Sequence, residues 1–79
     1  MTADHITDAQ LLIDILATES EAQAYSMISS GHGVLARLSH QPHTQMKIHE
    51  ATARTNYLLM QGCRDLLERL NKIKTERGL

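Results

Sequence analysis

Cysteine occurs once, at Cys63, so the chain can close no internal disulfide, and a reducing compartment is the simpler expectation. Aromatic residues are nearly as scarce: Tyr25 and Tyr57 stand alone, with no Phe and no Trp. Sheets favour β-branched and aromatic side chains, so an apolar content drawn from Leu, Ile, Met and Ala points to packed helices. No apolar run approaches the roughly 18 residues of a membrane span. The opening stretch, Met1 to His5, has no basic segment ahead of an apolar one, and a signal peptide is not expected there. A soluble, cytoplasmic protein is the resulting expectation.

What is present fits one small helical domain. The 79 residues are 42% hydrophobic and 22% charged, which argues against intrinsic disorder. A chain this short buries a small share of its surface, so its stability is marginal unless something outside it contributes. The net charge of −1 conceals an asymmetry. Residues 1–41 carry Asp4, Asp8, Asp14, Glu19 and Glu21 against Arg37, a net −4; residues 42–79 carry a net +3. An acidic first half beside a basic second half suits a hairpin, and it can equally steer an external partner.

The first helix has a start signal. Thr7 is placed to cap it, with Gln10 three positions on completing a capping box and Ile6 with Leu11 forming a hydrophobic staple. Asp8 sets negative charge in the first turn, where the helix dipole favours it. Leu11, Leu12, Ile15, Leu16, Ala22, Tyr25, Met27 and Ile28 then recur at helical spacing. Ala17, Ala24, Gly31 and Leu38 recur every seven residues, so a second backbone can approach the small side chains among them. Gly31 is then a packing glycine; alternatively, Gly31 and Gly33 end the helix. Two mid-helix glycines cost about 2 kcal/mol relative to alanine, but Val34, Leu35 and Leu38 continue the spacing. The preferred expectation is one helix over 8–39, about 48 Å long, with a break at 31–33 and three helices as the alternative.

Residues 39–42 read as a turn. Pro42 suits the first position of a new helix and biases Gln41 away from helical geometry. The second helix is expected over 42–76. Thr52, Asn56, Leu59, Cys63, Leu66, Leu70 and Ile73 alternate three and four apart as its seam, with Met60 and Leu67 widening it. Surface pairs four apart are Glu50–Arg54, Asp65–Arg69, Glu68–Lys72 and Lys72–Glu76. Asn56 either fixes the register of the seam by a hydrogen bond or lies wet at its edge. The fold class expected is all-α: an antiparallel hairpin of two long amphipathic helices.

No catalytic motif appears, and no enzyme is expected. His40 and His43 flank the turn, with His49 further along, but a metal site needs three or four ligands, and Cys63 lies about 30 Å along the helix from His43. Neither metal nor cofactor is expected. Cys63 reads as a small hydrophobe on the apolar stripe.

The functional expectation is a non-enzymatic protein-interaction module, because two helices cannot cover every side of each other. Leu11 and Leu12 lie to one side of the first helix, Ile13 and Leu16 to others, and Leu58 and Leu59 occupy adjacent faces of the second. The residues chosen for the contact are Leu12, Leu16, Met27, Met60 and Leu67, meeting another protein or a second copy in a dimer or tetramer. The rival is a nucleic-acid-associated regulator using Arg64, Arg69, Lys72 and Arg77 on phosphates. It is weakened by the interspersed Asp65, Glu68 and Glu76 and by the shortage of aromatics.

The layout resembles the small helical-hairpin co-chaperones of bacterial type III secretion in chain length, in two amphipathic helices and in the short polar turn at residues 39–44. The stretch from Gln45 to Leu70, polar and then aliphatic, is loosely similar to their second helix. The resemblance implies a cytoplasmic adaptor that binds a larger chaperone and helps keep an aggregation-prone secreted subunit soluble. It implies no particular functional residue.

Overall fold

The computed structural model describes residues 5–38 and 40–79. Met1 to Asp4 and Ser39 lie outside the described residues, and with them the reading of the opening stretch and the first position of the expected turn. The chain folds as expected into two long helices, α1 (Asp8–Ala36) and α2 (His43–Glu76), packed as an antiparallel hairpin. The molecule measures 54 × 19 × 15 Å.

α1 starts as its sequence dictates. The Thr7 side chain accepts a hydrogen bond from the Gln10 backbone N–H at 3.1 Å, and Ile6 packs on the cluster that contains Leu11. The reciprocal half of the capping box does not form: the Gln10 amide donates instead to Asp14 at 2.7 Å. The helix runs unbroken through Gly31 and Gly33. A Cβ at either glycine would meet nothing within 4 Å, so Gly31 is not a point of close approach within the hairpin.

α1 ends at Ala36, three residues before the expected limit. The Gln41 amide explains the early stop, donating at 2.8 Å to the carbonyls of both Leu35 and Leu38. Those two acceptors lie at the helix end, where carbonyls lack partners. His40 takes the left-handed conformation, φ 66°, that turns the chain. Pro42 caps α2 rather than opening it, with φ −58° and ψ 144°.

Each helix contributes a stripe spaced alternately three and four residues apart. On α1 it is Leu11, Ile15, Thr18, Ala22, Tyr25, Ser29, His32 and Ala36; on α2 it runs Met46, His49, Ala53, Asn56, Met60, Cys63, Leu67, Leu70, Lys74 and Arg77. All of these are buried or half-buried. The α2 seam keeps Asn56, Cys63 and Leu70 of the expected one, with Ile73 packed on the buried cluster. Leu59 and Leu66, expected inside, are each 46% exposed, and Met60 and Leu67, expected at the edge, take their place.

The seam is apolar near the chain ends and polar toward the turn. Leu11, Ile15 and Leu70 form the buried cluster, with Ile6, Leu67 and Ile73 packed on it. At the chain ends, Arg77 donates to the Ile6 carbonyl at 2.7 Å and to the Asp8 carboxylate at 3.0 Å. Toward the turn, Ser29 donates across the seam to the Ala53 carbonyl at 2.7 Å. Asn56 is half-buried and donates within its own helix to Thr52, so it does not bond across the seam. No buried side-chain polar atom among the described residues lacks a partner. The four expected surface pairs on α2 give way to Lys47–Glu50 at 3.4 Å, three residues apart.

Candidate interaction surface

With the seam fixed, the two broad sides of the hairpin differ in chemistry. One side carries Asp14, Glu21, Ile28 and Leu35 from α1, and Thr52, Leu59, Leu66 and Ile73 from α2, each set seven residues apart and adjoining the seam. Further from the seam on the same side lie Ala17, Ala24 and Gly31 of α1, and Ile48, Thr55, Gly62, Arg69 and Glu76 of α2. A shallow recess lined by Asp14, Ala17, Glu21 and Leu66, together with Ile6, Thr18 and Leu70, joins these positions across the two helices. Toward the turn this flank holds Ile28, Leu35, Ile48 and Leu59, between 38% and 52% exposed, with no charge among them.

The opposite side is polar. Next to the seam it carries Leu12, Glu19, Ser26 and Gly33 from α1, and Glu50, Tyr57, Arg64 and Asn71 from α2. Outside those lie Leu16, Gln23 and Ser30, and then Lys47, Arg54, Gln61 and Glu68. Charges of both signs run along it from Glu19 and Glu68 to the turn, with Leu12, Leu16 and Tyr57 exposed among its polar residues.

The residues chosen from sequence are divided by this geometry. Leu12 and Leu16 are 40% and 64% exposed but lie on the polar side. Met27, 68% exposed, sits on the outer edge of α1 beside Ile13 and Val34. Met60 is 5% exposed and holds the helices together, while Leu67 packs on the buried cluster and also lines, with Met27, Gln23 and Arg64, an open recess on the polar side. Large aliphatic residues outside that choice also stand exposed: Ile28, Leu35, Ile48, Leu59 and Leu66. The signal was available in the consecutive apolar positions at 58–60 and 66–67, of which only one per turn can face the partner helix.

The basic residues of the nucleic-acid alternative do not gather on one surface. Arg77 is engaged by Ile6 and Asp8. Arg64 lies on the polar flank, Arg69 on the apolar one, and Lys72 on the outer edge between them. Asp65 and Glu68 line the same recess as Arg69 and Lys72.

Two clusters carry titratable groups. His32 and His49 meet across the seam, Nδ1 to Nδ1 at 2.9 Å, with ring centroids 5.1 Å apart. The Gln45 amide nitrogen lies 3.2 Å from His49 Nε2. In the neutral pair one Nδ1 donates and the other accepts, and the tautomers decide which. His49 therefore pairs with His32 rather than with the turn histidines. Among the described residues, no three His, Cys, Asp or Glu side chains are placed to hold a metal. Cys63 lies 3.9 Å from the Glu21 carboxylate, and burial together with that carboxylate pushes its thiol above the ordinary cysteine value. A thiol so held is a poor nucleophile.

No helix among the described residues is long and apolar enough to cross a membrane. No protein-family model, curated protein or solved structure matches the chain. Fold and surface together define a small all-α helical hairpin, consistent with a protein-interaction module in general.

Proposed function

We propose that this protein is a non-enzymatic interaction module whose docking surface is the apolar flank formed by Ile28, Leu35, Ile48, Leu59 and Leu66. The observation that supports it is the contrast between the two broad sides of one hairpin. Five large aliphatic side chains stand 38% to 52% exposed on one side, and charges of both signs crowd the other. A contiguous apolar surface that stays in water is a standing cost, and burying it against a partner recovers about 25 cal/mol per Å². An adaptor or co-chaperone in type III secretion is a narrower form of the same reading; the hairpin layout and a free apolar flank support it.

Sedimentation of lysates from cells that make the protein tests the reading. The wild-type chain is expected in a species heavier than its 8.9 kDa. Leu59→Asp with Leu66→Asp should release it as a monomer, and Leu12→Asp with Leu16→Asp on the polar side should leave the species intact. A monomeric wild type, or a complex broken only by the polar-side pair, would overturn the proposal.

A further inference from the structure

We infer that the occupant of the apolar flank is a second copy of this hairpin, resting on the reading of that flank as the docking surface. The two copies meet flank to flank about a two-fold axis parallel to their long direction. Each α1 then lies over the other copy's α2, and the two turns sit at the same end of a four-helix bundle.

Area favours this occupant. A side of the 54 × 19 Å hairpin offers about 1,000 Å², above the roughly 800 Å² per partner of a stable interface. Need favours it as well: among the described residues the hairpin buries only Leu11, Ile15, Met60 and Leu70 of its hydrophobic side chains, and a core that small calls for oligomerisation or another staple. No disulfide is available to serve as that staple.

Charge selects the axis. A two-fold contact presents the same patch twice, so an axis that sets an acid over a base is favoured over one that does not. The turn half of the flank is uncharged and meets itself freely. Toward the chain ends the flank carries Asp14 and Glu21 on α1 and Arg69 and Glu76 on α2. The cross-helix contacts of Glu21 with Cys63 and of Asp8 with Arg77 set the register, and they place Asp14 level with Arg69 to within a turn. Among the described residues neither has an ion-pair partner within the chain. The parallel axis sets each Asp14 over Arg69 of the other copy. An axis across the long direction would bring turn against chain ends and α1 over α1, leaving both Asp14 and Arg69 facing uncharged surface.

The test uses the full-length protein. Light scattering should give twice the monomer mass, and Leu59→Asp with Leu66→Asp should give a monomer whose circular dichroism keeps its helicity. Asp14→Arg and Arg69→Asp should each raise the dimer dissociation constant at least tenfold, and the two together should restore it. A nitroxide on His43→Cys in a Cys63→Ala background should report one inter-copy distance below half of the 54 Å length. A wild type that is monomeric at every concentration overturns the second-copy assignment, while a heavier species in lysates would still uphold the docking surface. A dimer that survives the flank substitutions, a charge swap without rescue, or a spin–spin distance near the full length overturns the proposed arrangement.

Discussion

Leu59 and Met60 are consecutive residues on opposite sides of the seam's edge: Met60 is 5% exposed against α1, and Leu59 is 46% exposed on the apolar flank. One step along a helix separates a core contact from a surface contact. The two should therefore respond differently to truncation. Met60→Ala is expected to destabilise the hairpin by about 2–4 kcal/mol, through lost burial and a residual cavity. Leu59→Ala should change the stability of the isolated hairpin by less than about 0.5 kcal/mol while weakening its association. Urea unfolding at low protein concentration, beside a mass measurement at high concentration, separates the two effects.

Arg77 ties the two chain ends together. It donates to a half-buried backbone carbonyl, that of Ile6, at 2.7 Å, while the Asp8 partner is 62% exposed at its side chain and well screened. Arg77→Ala should cost about 1–2 kcal/mol, and Asp8→Asn no more than about 0.5 kcal/mol. Equal losses in chemical denaturation would show that the ion pair, rather than the carbonyl bond, fastens the ends.

Gly31 and Gly33 occupy helix interior with open space where a side chain would stand. Gly33→Ala should stabilise the hairpin by up to about 1 kcal/mol, the helix-propensity difference alone. Gly31→Ala should do the same for the dissociated chain, because nothing within the hairpin obstructs a methyl there. A drop in melting temperature for Gly33→Ala would mean that the helix is broken at 31–33.

Much of the fold was legible in the sequence, and the part of the α2 seam that differs from expectation has a definite physical cause. Thr7 and Ile6 marked the start of α1, Pro42 marked the turn, and Val34 and Leu35 continued the spacing beyond the glycines. That part differs because Leu58, Leu59 and Met60 are all apolar, as are Leu66 and Leu67, so its periodicity admits two faces. The partner helix decides between them, and its own stripe is disguised by Thr18, Ser29 and His32. The contact between His32 and His49 joins residues 17 apart on different helices, which no local pattern can show. The expected pairs four apart on α2 are exposed charges whose attraction is too small to fix their side chains.

Cys63 offers a pH-dependent readout of the seam. Burial and the Glu21 carboxylate disfavour the thiolate and raise the thiol's pKa, so at neutral pH less of it is ionised than of a free cysteine. Its alkylation by iodoacetamide should accordingly be slower than that of a free thiol and should accelerate as pH rises. Glu21→Gln removes the negative charge and should speed the reaction at neutral pH. An unchanged rate in that variant would separate Glu21 from the thiol in solution.

Site-specific photocrosslinking in the cells that make the protein tests most directly which flank is used. A photoreactive amino acid would be placed at Leu59 on the apolar flank and, in a second chain, at Leu16 on the polar one, both exposed in the hairpin. The apolar flank as docking surface predicts a discrete protein adduct from position 59 and none from position 16. An adduct from position 16 with none from position 59 would contradict it.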